Sequence, residues 1–462
     1  MSSVRVRMFR QGLGDCFLLT FPGRNRSVHM LIDFGVLLGT QDAKTKMTAT
    51  AQHILDATGG VIDVLVVTHE HWDHVSGFEQ ARDLLGADQL TINEVWLAWT
   101  EKPGDPVATT LRERKARALK RVVGAANRLA DARSLGARRT AARINNLLEF
   151  FGGFGVAGKR GTHAALEWVQ GRIAPKEPNY LEPGGEPLSL PDVDGVRIYV
   201  LGPPRDLRRL RKSDPSTRNS EVYELAGAES ADLGFFAALD GADGSGDGQP
   251  FDSWFRVSDE DAKKRKFFVD NYGFEGENWR RIEHDWLDAA GRLALQLDSD
   301  TNNTSLVLAI ELIASGRVLL FPGDAQVGNW LSWHEGIEWK VDDGGGRTRT
   351  VTAANLLART VLYKVGHHGS HNATLREKGL EMMTSDSLAA MIPVNRDSAK
   401  KMKWDMPFPS LFTRLDERCR GRILDLENGV RATNGNGAAA EWGRFPGRTD
   451  EKTDWLDLHV NL

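Results

Sequence analysis

Three histidines and one aspartate fall within a single six-residue stretch of this chain, which makes it the strongest chemical signal in the sequence. They are His69, His71, Asp73 and His74, in the pattern H-x-H-x-D-H. Neutral imidazole and carboxylate are ligands of Zn²⁺ and its neighbours. Because one ion cannot easily use all four side chains, we assign His69 and His71 to one ion, and Asp73 and His74 to a second. Two ions about 3.5–4 Å apart can clamp the attacking and leaving oxygens of a displacement.

A second histidine cluster lies near residue 370, where His367, His368 and His371 follow a short strand pattern and Gly366. Glycine allows the backbone to approach a ligand closely, so three imidazoles at this point indicate a site. We expect one of His367 and His368 to bind metal. The other, or His371, would contact the substrate or act as a general acid. The candidate catalytic residues are therefore Asp73, His367, His368 and His371.

Strands must position these side chains. A β-branched run from Val61 to Thr68 predicts a buried strand that stops at His69, and α/β proteins place chemistry at the carboxyl ends of such strands. Further strands are predicted over residues 4–9, 16–21, 28–33, 305–312, 317–321 and 363–365. Asp324 follows one of them and Gly323. It either binds metal or caps a helix that begins at Ala325.

Several segments taken in order carry a family resemblance. They are residues 12–16, 31–35, the histidine motif, 200–204, 303–308, 319–324 and 364–370. Together they resemble the metallo-β-lactamase-fold hydrolases, and within them the hydrolase domain of the competence protein ComEC and the phosphorylcholine-esterase-like enzymes. The resemblance implies an α/β fold, an αββα sandwich of two facing sheets with helices outside and the site at one sheet edge.

The resemblance also assigns roles to single residues. It implies that Asp324 bridges both ions and that Asp33 orients the histidine loop from behind, with Asp15 in a similar position. A turn carboxylate is the other interpretation of Asp33.

Many members of the wider superfamily have a further histidine just before the strand at 305–312, and this chain has none there. Asp300, Asn302 or Asn303 would supply an oxygen ligand instead. The other interpretation is that Asn302 and Asn303 only form a turn. We expect two divalent ions, with Zn²⁺ as the first candidate. An oxygen-rich set of ligands makes Mn²⁺ the alternative.

Length and composition bound the remaining possibilities. The chain has 462 residues, a net charge of -4 and two cysteines, so a disulfide framework and a cysteine-rich zinc site are excluded. We expect one cytoplasmic hydrolase domain over residues 1–462 that has no membrane association. It would carry a basic helical insertion at 101–178 and a second insertion at 213–297.

Residues 101–150 contain twelve basic residues against five acidic ones, a net of +7. This surplus is either a solvated face or the contact for a phosphodiester or nucleic-acid substrate. The sequence thus predicts a phosphodiesterase or nuclease that uses a hydroxide activated by two metal ions. One alternative is a hydrolase of lactone, thioester or amide bonds, and another is a non-catalytic binding module stabilised by metal.

Overall fold

A computed structural model describes residues 2–130, 135–152, 161–213, 257, 259–272, 294–342, 346–402, 404–430 and 438–462. The strands are β1 Ser3–Phe9, β2 Cys16–Pro22, β3 Ser27–Phe34, β4 Val61–Val67, β5 Thr91–Ala98, β6 Asn179–Leu181, β7 Val196–Gly202, β8 Val307–Leu312, β9 Arg317–Phe321, β10 Glu338–Asp342, β11 Thr348–Thr352, β12 Thr360–Lys364, β13 Ala389–Ile392, β14 Ile423–Asp425, β15 Gly429–Val430, β16 Gly447–Glu451 and β17 Trp455–Asn461.

The helices are α1 Ala43–Thr58, α2 Trp72–Gln80, α3 Pro106–Ala130, α4 Leu135–Leu148, α5 Thr162–Gly171, α6 Leu207–Leu210, α7 Asp259–Lys264, α8 Lys266–Tyr272, α9 Val327–Ser332, α10 Ala353–Ala358, α11 Arg396–Met402, α12 Pro409–Cys419 and α13 Ala438–Gly443. Short 3-10 turns are formed by Trp99–Glu101, Glu149–Phe151, Gly366–Gly369 and Leu380–Met382. Within the described residues no helix has the length and apolar character needed to cross a membrane.

The first sheet has eight strands in the order β16-β17-β1-β2-β3-β4-β5-β6. Successive side chains of a strand point to opposite faces of the sheet, and an apolar core lies against each face of this sheet. On β4, Val64 and Val66 join the core shared with the other sheet, while Leu65 and Val67 join a core that includes residues of α1, α2 and α5. Both faces of β4 are therefore covered, which explains the apolar run from Val64 to Val67.

The second sheet has seven strands in the order β15-β14-β13-β12-β9-β8-β7. Residues of β8, β9, β12 and β13 enter the same core as the inward face of the first sheet, so the two sheets pack face to face. Helices α10 and α12 contact β9 and β13 respectively. The predicted α/β class is confirmed, with two large mixed sheets packed as a sandwich.

The chain divides into two compact units. One comprises Met1–Arg112, Glu149–Gly227 and Asp298–Leu462 and contains both sheets. The other comprises Glu113–Leu148 and Ala228–Leu297, and includes most of α3 and all of α4. The insertion predicted over 101–178 is helical at α3 and α4, but α5 packs on the first sheet as part of the core. Most of the second predicted insertion, 213–297, lies outside the described residues.

Two glycines let the loops beside β2 and β3 approach the backbone of the histidine motif. A Cβ atom added to Gly14 or Gly35 would overlap with the carbonyl of Asp73. The N–H of Asp15 donates to that carbonyl at 3.0 Å. Segments 12–16 and 31–35, which are part of the family resemblance, thus support the loop that carries Asp73.

We predict that Gly35→Ala lowers the thermal unfolding midpoint, because overpacking a tight contact costs about 1–3 kcal/mol. Gly171→Ala is the matched control, since a Cβ atom there meets nothing within 4 Å. Differential scanning fluorimetry of both variants checks the prediction. Equal midpoints for the two variants would contradict it.

Candidate metal centre

Strand ends from both sheets meet at one edge of the sandwich. The parallel strands β3 and β4 end at Asp33–Phe34 and at Val67, directly before the histidine motif. The parallel strands β9 and β12 end before Asp324 and His367. Strands β2 and β8 run antiparallel to β3 and β9, so the segments preceding them, with Asp15 and Ser305, reach the same edge.

One backbone hydrogen bond joins the two sheets at this edge. The N–H of Leu306 donates to the carbonyl of Thr68 at 2.8 Å. Thr68 precedes the histidine motif and Leu306 precedes β8, so the two loops are held in a fixed relation. Ligands from both sheets can then meet without further connecting structure.

Four buried side chains meet closely enough to hold a metal ion. Asp73, His74, Asp324 and His368 each offer one nitrogen or oxygen atom within 4.8 Å of the others. His74 Nε2 lies 3.1 Å from an oxygen of Asp324, and His368 Nε2 lies 2.8 Å from an oxygen of Asp73. All four side chains, which we call the metal cluster, are at most 1% exposed.

His74 is held between carboxylates on both sides of its ring. Its Nδ1–H donates to Asp33 at 2.8 Å, and Asp33 also accepts from the N–H and hydroxyl of Thr68. Its Nε2 faces Asp324. Burial lowers the pKa of His74, but the charges of Asp324 and the other nearby carboxylates outweigh it and raise the pKa well above its usual value. Asp33 thus fixes the orientation of the His74 ring from the Nδ1 side, an arrangement that is typical of metal-binding histidines.

His69 and His71 form a separate pair of donors. His69 Nε2 lies 3.0 Å from His71 Nδ1, the contact expected of two imidazoles turned toward one position. Asp298 lies beside this pair, with an oxygen 3.8 Å from His71 Nε2. Asn302 donates to Asp298 at 3.1 Å, and its own amide oxygen is buried with no hydrogen-bond partner among the described residues.

The second histidine cluster adopts a strained backbone. His367 and His368 have φ of 44° and 52°, in the left-handed region that non-glycine residues rarely adopt. Such outliers cluster at functional sites, and Asp33 shares the feature with φ of 55°. His368 Nδ1–H donates to the carbonyl of Pro393 at 2.7 Å, so its Nε2 is left to face the metal cluster.

His367 occupies a different environment. Its Nδ1 is buried without a hydrogen-bond partner among the described residues, and burial lowers its pKa to about 4. Its ring is therefore neutral at physiological pH. The backbone N–H of His367 donates to Asp324 at 2.9 Å, which ties this loop to the metal cluster.

Lys364 is a buried cation that the sequence analysis did not select. Its Nζ donates to Asp324 at 3.2 Å and to the carbonyl of Gly323 at 2.9 Å, and it forms an ion pair with Asp15. One oxygen of Asp324 is thus held by Lys364 and the His367 N–H, and the other faces His74. The sequence signal that could have indicated Lys364 is a lysine at the end of an otherwise apolar strand.

Three close contacts indicate that this edge suits a metal ion. His74 faces Asp324, His368 faces Asp73, and His69 faces His71, each across about 3 Å. Each contact brings two lone pairs together unless a proton or a metal ion lies between them. Four buried carboxylates also surround these imidazoles, with Lys364 as the buried lysine among them. The donor set therefore fits a divalent cation.

Two predicted site residues have other contacts. His371 is exposed, and its ring packs against Phe408 with centroids 6.0 Å apart. The amide of Asn303 accepts from the N–H groups of Gln326 and Asn329 and donates to the carbonyl of Lys212. Asp324 does not cap a helix, because Gln326 is the residue that precedes α9.

The comparison with known families agrees with this geometry. Residues 11–193 match the family model of the metallo-beta-lactamase superfamily. The matched range contains Asp15, Asp33 and the histidine motif, whereas Asp324 and His368 come from beyond it. No curated protein sequence matches the chain. The superfamily consists largely of metal-dependent hydrolases, and the buried histidine and aspartate cluster could hold such a metal.

We predict that His368→Asn weakens Zn²⁺ or Mn²⁺ binding by more than about 10-fold, because a residue in the cluster should matter at least as much as its supporting partners. His371→Asn is the matched control and should bind metal like the unaltered protein. Isothermal titration of the metal-free proteins measures both affinities. Equal losses in the two variants would show that His368 has no special role.

Proposed function

We propose that this protein is a metal-dependent phosphodiesterase or nuclease whose cation is held by Asp73, His74, Asp324 and His368. The observation that carries the proposal is the burial of these four side chains together at one sheet edge. Buried carboxylates and imidazoles are costly to bring together without a cation. The superfamily match over residues 11–193 supports hydrolysis as the reaction class.

A second cation would be held by His69 and His71, with Asp298 beside them. Asp298 faces His71 Nε2, the ring nitrogen opposite the one that faces His69, so it would orient this ring, and Asp73 and Asp324 are the oxygen donors of the first position. We propose Zn²⁺ as the first candidate for the two positions, because imidazole is prominent in both. The oxygen donors make Mn²⁺ the alternative.

The protein's own groups would organise the reaction. Divalent ions, when bound, supply Lewis acidity toward phosphoryl oxygens and lower the pKa of water at the site. Asp33 keeps the His74 ring in one orientation. Lys364 and the His367 N–H both donate to one oxygen of Asp324, which leaves the other oxygen to face His74. His367 Nδ1 offers a buried nitrogen for a hydrogen bond to a substrate oxygen.

The basic stripe of α3, defined as Arg114, Arg117 and Arg121, supports a polyanionic substrate. Residues spaced by three and four share one face of a helix, and Arg114 and Arg117 are exposed. The apolar face of the same helix includes the buried residues Leu119, Val122 and Ala126. Residues 101–150 carry a net charge of +7 within a chain of net -4, so the charge is concentrated in this segment. Such a surface binds phosphates through counterion release.

A hydrolase of lactone, thioester or amide bonds is the second candidate. Phe150 and Phe151 pack against His71 with ring centroids 5.5 Å and 4.9 Å away. Aromatic neighbours at the metal ligands suit an apolar acyl substrate better than a phosphate. An assay that includes both bond classes separates the candidates.

Two narrower proposals follow. The segments at 303–308 and 364–370 support membership of the ComEC-like branch, where a histidine is absent before β8. A reducing compartment such as the cytoplasm suits the two cysteines, Cys16 and Cys419, which are both buried and unpaired.

We predict that Asp73→Asn lowers kcat/KM for bis(p-nitrophenyl) phosphate by more than about 100-fold, because it removes a charge at the metal cluster. Asp83→Asn, at a side chain that is 93% exposed, is the matched control. The same proteins are assayed on a lactone and a thioester. Activity on acyl bonds alone would favour the second candidate, and metal binding without any hydrolysis would favour a non-catalytic module.

We predict that Arg114→Glu with Arg117→Glu weakens binding to single-stranded DNA and flattens its salt dependence. Each lost phosphate contact should change the slope of log K against log salt by about 0.7. Fluorescence anisotropy at salt concentrations from about 50 to 200 mM measures the slope. The control is Arg444→Glu with Arg448→Glu, two exposed arginines elsewhere. The same slope in both double variants would exclude the α3 stripe as the contact.

A further inference from the structure

The metal cluster is closed to solvent in this structure. Asp73, His74, Asp324 and His368 are at most 1% exposed, and His367 is 6% exposed. A phosphodiester or an acyl ester must contact these side chains or an ion that they hold, and side chains this buried offer it no accessible surface. Some group must therefore move before a substrate can reach the cluster, and aromatic rings lie against His71 and His367 in the two loops that carry Asp73 and His368.

Phe150 packs against both histidine loops. Its ring centroid lies 5.5 Å from that of His71, at an interplanar angle of 35°, and 6.3 Å from that of His367. Phe150 belongs to the 3-10 turn Glu149–Phe151, and it is 2% exposed. One aromatic side chain thus contacts both histidine loops, which follow strands of the two different sheets.

Trp404 is a further ring partner of Phe150. The two rings stack with centroids 5.1 Å apart and an interplanar angle of 17°. Trp404 comes from the stretch between α11 and α12, where its N–H donates to the carbonyl of Ala399 at 2.9 Å. It is only half-buried, so it forms the outer member of the stack.

The turn that carries Phe150 has a weak closing bond. The N–H of Gly152 donates to the carbonyl of Glu149 at 3.4 Å, which is long for a backbone hydrogen bond. Gly152 has φ of 80°, in the left-handed region open to glycine. The stack with Trp404 is therefore one of the contacts that keep Phe150 over the histidines.

We propose that Phe150 and Trp404 form an aromatic gate that controls which ligands reach the buried metal cluster and how fast. The inference rests on the metal-dependent hydrolase proposed above. Opening separates the two rings and exposes His71 and His367. The gate favours substrates that replace the lost stacking with a flat group of their own, because such a group can pack on the face of Trp404.

The test measures release of bound Zn²⁺ to an excess of a coloured chelator by stopped-flow absorbance. Trp404→Ala should accelerate release by about tenfold, the factor that corresponds to losing one stacked aromatic pair. Trp404→Phe retains a ring and should restore the slow rate. Trp442→Ala removes a tryptophan that packs against Phe445, and it controls for general loosening.

A second readout measures hydrolysis of an aryl and an alkyl phosphodiester by the same variants. Trp404→Ala should lower the preference for the aryl substrate, and Trp404→Phe should retain it. Release rates equal to that of the unaltered protein in Trp404→Ala and in Phe150→Ala would overturn the gate. Fast release without phosphodiester hydrolysis would support the gate and contradict the proposed substrate class. A protein that binds no metal would overturn both.

Discussion

The rest of this structure depends on the burial of four carboxylates around a shared set of imidazoles. Asp15, Asp33, Asp73 and Asp324 are all at most 2% exposed. Like charges in a medium of low dielectric repel strongly, so cations among them stabilise the arrangement. Lys364 supplies one such cation from the protein itself. The remaining need for positive charge is the physical reason to assign a metal to this edge.

The two sheets deliver these charges to one place through strand direction. The parallel pairs β3 with β4 and β9 with β12 each bring two strand ends to one edge. Antiparallel β2 and β8 then bring the segments before them to the same edge, which accounts for Asp15 and Ser305. The hydrogen bond from Leu306 to Thr68 joins the halves. Function and fold are thus linked by topology, since neither sheet alone holds the complete donor set.

Much of this could be predicted from the sequence because its signals are local. The spacing of His69, His71, Asp73 and His74 lies within one loop, and the run from Val61 to Thr68 marks the strand before it. The class of fold followed from the family resemblance that such segments carry when they are taken in order. By contrast, sequence spacing did not separate His368 from His371. The separation arises from a left-handed backbone and from a hydrogen bond to Pro393, 25 residues away.

Other contributors were hidden because their contacts are distant in sequence. Lys364 reaches Asp15 and Asp324 only after β12 has taken its place in the second sheet. Asp298 is recognised by its contact with His71, and Phe150 is recognised by its contacts with His71 and Trp404. A lone lysine, aspartate or phenylalanine carries no spacing pattern, so tertiary structure is needed to recognise it.

The central claim is that Asp73, His74, Asp324 and His368 together bind a divalent cation. Anomalous scattering from crystals grown with Zn²⁺ or Mn²⁺, recorded on both sides of the metal absorption edge, tests it most directly. The account predicts an anomalous peak bounded by these four side chains, and a second peak beside His69 and His71. Crystals that contain the metal but have no peak among the four side chains would contradict the account.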